Sequence, residues 1–238
     1  MMVMKRLLLS TFLMCLFFSI YSQTTVDTAL PLQEGYNSYT FESGTSYNSV
    51  YYIYTAPEGQ GKLLTVEKTD VSTSIMLSED GTYNTTINGI ISSNTSIYPI
   101  NGGQTVYLTL TTSSTTVEFN VTLADADVDK GASCDDPVIA PDSGAEFFVP
   151  SYYDKSTYTN NPTYISYTSS EEGLLEMTFG GGYPSSLLIG EGCDGAQETL
   201  TAAYNNGKYT AKYTVETGKT YIIEVEIYSP MMASFVLT

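Results

Sequence analysis

The sequence predicts an all-β protein, two tandem antiparallel β-sandwich domains of the jelly-roll or immunoglobulin-like kind that follow a cleaved signal peptide. Three observations carry this expectation. Apolar and polar residues alternate at period two, as strands buried on one face require, and helical periodicity is nearly absent. Short apolar runs are bounded by Gly, Pro, Asn and Ser at sandwich-like spacing. The two halves also carry the same anchors in the same order at an offset of about 111–116 residues, a period that means tandem domains rather than a solenoid.

Lys5 and Arg6, the apolar run over residues 7–20 and the small-residue exit at Ser22 read as a secretory signal peptide over residues 1–22. The run falls short of the ~20 residues that span a bilayer, and Met14 stands before Cys15 where a lipid-anchor signal wants a small residue. No later stretch is apolar enough to cross. The expectation is a protein secreted, or held at the cell surface or in the periplasm, with no membrane span after cleavage.

The whole chain has 9 basic and 26 acidic residues, a net charge of −17. Without Lys5 and Arg6, 7 lysines face the same 26 acids, a net of −19, and no arginine is left. Phosphate backbones need cations to neutralise them, so nucleic acid and anionic membrane surfaces are not expected partners. The chain has no histidine, which excludes Ser-His-Asp and Cys-His catalysis and His-bearing zinc sites.

In chain order, the strand candidates of the first half are "NSVYYIYTA", "GKLLTVEKT", "TSIMLS", "GQTVYLTLTT" with Val106, Leu108 and Leu110 inward, and "TVEFNVTL". Those of the second are "GLLEMTF", "SSLLIG" and "KTYIIEVEIY", where Tyr221, Ile223, Val225 and Ile227 share one face and Ile222, Glu224, Glu226 and Tyr228 the other. Tyr54 with "TAPEGQGKLLTV" matches Tyr167 with "TSSEEGLLEMTF", residues 74–77 match 186–189, "NGGQTVYLTL" matches "ETGKTYIIEV", and Phe119 matches Phe235. The expected division is a first sandwich over 23–124, an acidic linker over 125–136, and a second sandwich over 137–238 to which Cys134 is tied back. Each unit of about 100 residues is enough for a two-sheet core.

The order "YYIYTAP…GKLLTV", "SIMLS", "INGGQTVYLTL" and "VEFNVTL" resembles the bacterial pre-peptidase C-terminal (PPC) domain, and so does "YISYTSSEEGLLEMTF", "SSLLIGEGC" and "VETGKTYIIEVE". The resemblance implies a small β-sandwich of the sort appended to secreted peptidases and other exported proteins. "GASCDDPVIA" and "GEGC" look like the disulfide-bearing versions in exported proteins of the Bacteroidota. An even pair of cysteines in an exported chain, Cys134 and Cys193, by itself favours a disulfide, with two buried free thiols as the alternative.

Several motifs bear on chemistry. Gly218-Lys219-Thr220 has the ending of a phosphate loop, but Tyr213 stands where the first glycine must be and a strand pattern follows; a hairpin turn is expected. "PDSGAEFF" holds one Asp-Ser-Gly at Asp142, without the second copy an aspartic peptidase pair needs. Glu224 and Glu226 are neighbours on one strand face and cannot flank a glycosidic bond. Asp125, Asp127, Asp129 and Asp136 follow a calcium-loop spacing, with Gly131 one position late and no closing Glu. They read either as hard oxygen ligands for calcium, the one cofactor the sequence raises, or as a solvated acidic linker. In "SYYDKSTYTNNP", Tyr152, Tyr153, Asp154 and Tyr158 sit in a polar, loop-like segment suited to stacking and hydrogen bonding with a ligand, or to ordinary strand duty.

The function these features lead to is a secreted, non-catalytic β-sandwich protein serving in adhesion or ligand binding, with an extracellular glycan or protein as partner. A secreted glycoside hydrolase using carboxylates alone, and a structural surface-layer or spacer protein, are the alternatives.

Overall fold

The computed structural model describes residues 25–41, 47–70, 72–154, 157 and 159–238; the signal peptide expected over residues 1–22 lies outside them. Strands dominate, and no α-helix occurs among the described residues.

The first half contains β1 (Leu30–Pro31), β2 (Gly35–Thr40), β3 (Asn48–Thr55), β4 (Lys62–Lys68) and β5 (Ser74–Ser78). It continues with β6 (Ile90–Ile91), β7 (Thr95–Ile100), β8 (Thr105–Thr112) and β9 (Thr116–Asp125). These form a four-stranded sheet in the order β1-β3-β8-β5 and a five-stranded sheet in the order β2-β9-β4-β7-β6. The second half contains β10 (Val138–Ile139), β11 (Phe147–Val149), β12 (Tyr152–Asp154), β13 (Thr159–Asn161), β14 (Thr163–Thr168) and β15 (Gly173–Gly180). Then follow β16 (Pro184–Glu191), β17 (Gln197–Thr199), β18 (Ala203–Asn205), β19 (Lys208–Val215), β20 (Thr220–Ile227) and β21 (Met231–Leu237). Their sheets run β10-β14-β20-β16-β17 and β11-β21-β15-β19-β18, with β12 and β13 as a separate hairpin.

The same plan occurs twice. In each half a two-residue strand pairs in parallel with the next strand of its sheet, β1 with β3 and β10 with β14, while the other ladders are antiparallel. In each half the last two long strands, β8–β9 and β20–β21, enter different sheets. The second half adds the β12–β13 hairpin and the edge strand β17.

Alternation drives the packing. Val50 and Tyr52 of β3 and Val106, Leu108 and Leu110 of β8 face Leu64 and Val66 of β4 and Val117, Phe119 and Val121 of β9, all buried in one apolar cluster between the two sheets. A second cluster joins Ile165, Tyr167, Ile223 and Val225 to Leu175, Met177, Phe179 and Phe235. Each fully buried Leu, Ile or Phe contributes roughly 1.5–3 kcal/mol, so each half carries a core of its own. The outer face of β20 departs from expectation at Ile222, which is buried. Its ladder neighbour is Gly190, and a Cβ there would meet the Ala196 carbonyl oxygen at 2.8 Å. The segment after β16 therefore folds over this part of the sheet.

The register recurs in detail in the first sheet of each half. Tyr54 lies opposite Val106 and Thr55 opposite Thr105; Tyr167 lies opposite Tyr221 and Thr168 opposite Thr220. The paired threonine hydroxyls are 2.8 and 2.9 Å apart. In the second sheet the correspondence read from sequence does not hold residue for residue. Phe119 faces Lys68 across its ladder, whereas Phe235 faces Met177. Both are buried, but Phe119 packs on Tyr52, and Phe235 on Phe147, Tyr167 and Phe179.

The turn at Gly218 is the counterpart of the turn at Gly103. Their φ angles are +73° and +76°. The following residues accept equivalent backbone bonds, Ala56 N–H to the Gln104 carbonyl and Ser169 N–H to the Lys219 carbonyl, each at 3.0 Å. Lys219 pairs with Glu191 and Glu216. Gly-Lys-Thr is here a hairpin turn leading into a strand.

Candidate functional site

The connector between the halves is held at both ends. Asp125 closes β9 opposite Lys62 and forms an ion pair with it. The Ala126 N–H donates to the Gly61 carbonyl at 3.1 Å. Val128 is buried against the same glycine, where a Cβ would strike its methyl group. Further on, Gly131 N–H donates to the Asp136 carbonyl at 2.7 Å, and Tyr164 N–H of β14 donates to the Gly131 carbonyl at 2.9 Å. Cys134 is joined to Cys193 in a disulfide, Cα atoms 5.7 Å apart, which resolves the open choice between bonded and free thiols.

The four aspartates of this connector do not converge on one point, although Asp127, Asp129 and Asp136 all act on Lys130. Asp125 pairs with Lys62, and Asp136 pairs with Lys130 at 2.6 Å, a contact that raises the lysine pKa. Asp129 and Asp127 line two different cavities. Among the described residues no three Asp, Glu, Cys or His side chains converge as metal ligands.

The segment expected to be loop-like forms the β12–β13 hairpin, with Tyr152 opposite Asn161, Tyr153 opposite Asn160 and Asp154 opposite Thr159. Tyr158 lies outside the described residues, as do the side chains of Tyr153 and Asp154. Tyr152 is half-buried and turned toward the connector, its hydroxyl donating to the Lys130 carbonyl at 2.6 Å. Burial, with the Asp129 and Asp136 carboxylates nearby, pushes its pKa up to about 12.

Tyr152 forms part of the wall of a cleft of about 510 Å³ between the two halves. Asn84, Asn88 and Gln104 line it from the first half, Asp129 from the connector, and Pro150, Ser151, Tyr152 and Pro230 from the second. The Gln104 side chain is positioned by its own turn: its Oε1 accepts the Asn101 N–H at 3.0 Å and its Nε2 donates to Glu79 Oε1 at 3.2 Å. Glu79 and Asp129 are the charged residues of the lining, and no lysine contributes to it. The lining combines amides, hydroxyls and two carboxylates with the apolar side chains of Ile87, Pro99 and Val128. That combination suits a neutral or cationic polar ligand, and the volume is in the range of small-ligand sites.

Sequence reasoning reached two residues of this wall, Tyr152 through its aromatic, polar segment and Asp129 as a candidate calcium ligand. The first-half contributors were missed. "NTTIN" and "NGGQ" are recognisable only as polar turns, and nothing local says that both face the second half.

The other motif residues lie away from this cleft, Asp142 lining a separate cavity with Glu171 and Glu172. Asp142 lies in a turn and accepts a hydrogen bond from the Tyr167 hydroxyl at 3.2 Å. Glu224 accepts from Gln197 at 3.3 Å on the outer face of β20.

No protein-family model matches this chain, and no curated protein matches it.

Proposed function

We propose that this chain is an exported, non-catalytic ligand-binding or adhesion protein that takes part of an extracellular glycan or protein into the cleft between its two halves. The observation that carries this reading is the cleft itself: its polar wall is assembled from both halves and from a connector tethered to each. Binding there would be sensitive to how the halves are joined, which gives the paired sandwiches a use that one alone would lack. Against the carboxylate-only enzyme alternative stands the lining itself, in which Glu79, one of its two carboxylates, is hydrogen-bonded to Gln104. The likeness of the strand pattern to PPC domains supports an accessory, binding role.

The test is retention of the purified chain on immobilised extracellular glycans and matrix proteins, with a bulky substitution, Asn88→Trp, to fill the cleft. Saturable retention that the substitution abolishes, without bond cleavage in the retained material, is the expected result. Retention indifferent to Asn88→Trp would remove the cleft from consideration, and released hydrolysis products would return the glycoside hydrolase reading.

A further inference from the structure

Three tyrosine rings meet at one edge of the second half, at a place separate from the cleft lining. The meeting point is built by the Asn206-Gly207 turn between β18 and β19. φ angles of +49° and +80° at these two residues match the type I′ turn that two-residue hairpin loops favour. The turn sets Asn205 opposite Lys208, and hence Tyr204 opposite Tyr209; the ring centroids lie 4.8 Å apart at 44°. From the other side, the glycine turn at 180–182 delivers Tyr183 to 5.2 Å from Tyr209 at 67°. Gly181 has φ +93°, and a Cβ there would approach Ile90 of the first half to 2.9 Å. Backbone conformation and space both demand glycine at this point.

Tyr209 packs against the second core, whereas Tyr183 and Tyr204 are 57% and 64% exposed. Rings held in place by a turn and a half-buried neighbour, yet open to solvent, have the character of a contact site. We propose that Tyr183, Tyr204 and Tyr209 form a stacking subsite for a neutral saccharide. The C–H face of a sugar ring packs on the aromatic faces. Its hydroxyls meet the phenols and the exposed side chains of Asn205 and Asn206. Charge selects against anionic sugars, since adjacent Lys208 is paired with Glu146 at 3.4 Å and the chain as a whole carries −17. Size selects against a protein partner. Two partly exposed tyrosines offer on the order of 250 Å², against ~800 Å² per partner in a stable interface.

This inference stands on residues outside the cleft and is tested separately from it. With no tryptophan in the chain, tyrosine emission can be followed directly. The full chain is titrated with cello-, xylo-, manno- and laminari-hexaose and, as charged comparisons, with oligogalacturonate and a sulfated oligosaccharide. A saturable change with at least one neutral hexaose is expected. It should weaken by about tenfold or more, the scale of losing an aromatic anchor, in Tyr204→Ala and in Tyr183→Ala, and little in Tyr204→Phe. An unaltered circular dichroism spectrum shows that each variant is folded. Silence across the neutral panel, equal binding of the charged probes, or neutral binding that survives both alanine substitutions would overturn the proposal. So would self-association lost in the alanine variants without any sugar effect, which would mark the rings as a protein contact.

Discussion

Removing the Cys134–Cys193 disulfide should destabilise the second half selectively. The two residues are 59 apart in sequence, and on the chain-entropy relation a loop of that size restricts the unfolded chain by roughly 14 cal/mol/K, about 4 kcal/mol at 25 °C. Little of this should be recovered or lost in the native state, because the residues around Cys134 keep other ties. Gly131 is bonded to Asp136 and to Tyr164 of β14, and Lys130 is held by the Tyr152 hydroxyl. The perturbation is the double substitution Cys134→Ser and Cys193→Ser, with reductant added to the native chain as the second route. The assay is differential scanning calorimetry. The two apolar clusters share no residue, so two transitions are expected. For a unit of about 100 residues each kcal/mol moves the midpoint by about 4–8 °C, which puts the affected transition about 15–30 °C lower and leaves the other in place. A shift below about 4 °C would mean that the loop is already restricted when unfolded. Equal movement of both transitions would refute the independence of the two cores.

Gly218→Ala should cost about 1–2 kcal/mol in urea denaturation, because φ of +73° strains a side chain although nothing lies within 4 Å of the new Cβ; Gly103→Ala, at φ +76°, should cost about the same, since the Glu58 carboxylate that its Cβ would meet at 2.7 Å is the end of an exposed side chain that can swing away. The phenols of Tyr52 and Tyr152 are pushed up to about 12, in both cases first by burial. A raised folded-state pKa means that their contribution is complete below the unfolded value of about 10 and is lost as pH rises toward 12. Absorbance at 295 nm should therefore show a late ionisation phase that coincides with unfolding, and a single phase near pH 10 with the fold intact would contradict it. Millimolar calcium added to chelated protein should leave the melting temperature unchanged, given the lysine pairs on Asp125 and Asp136, and a rise of several degrees would show that the aspartates regroup around the ion.

How far the fold could be read in advance depended on side-chain contrast. In β8 and β20 the alternating Val, Leu and Ile leave little choice of face, and the residues expected to point inward are buried, with Thr109 and Ile222 buried on the opposite face as well. In β19 the inward positions are Tyr209, Ala211, Tyr213 and Val215. The alternation exists, but its amplitude is small because tyrosine is amphipathic and alanine is short. The two-residue parallel strands β1 and β10 are too short to carry any period. The β12–β13 hairpin, polar throughout, resembles a loop until its backbone pairing is seen.

The amino-acid order alone is enough to establish the all-β class, the doubled plan and the turn at Gly218, because each depends on local quantities: a period of two, an offset along the chain, a glycine at a tight bend. The cleft, the separation of the four aspartates and the tyrosine cluster depend on something else. Asn88 and Tyr152, or Tyr183 and Tyr204, come together through sheet order and through the tethering of the connector at Gly61 and Tyr164. Contacts between residues distant in sequence arise from how whole sheets pack, and no local pattern of hydrophobicity encodes that packing.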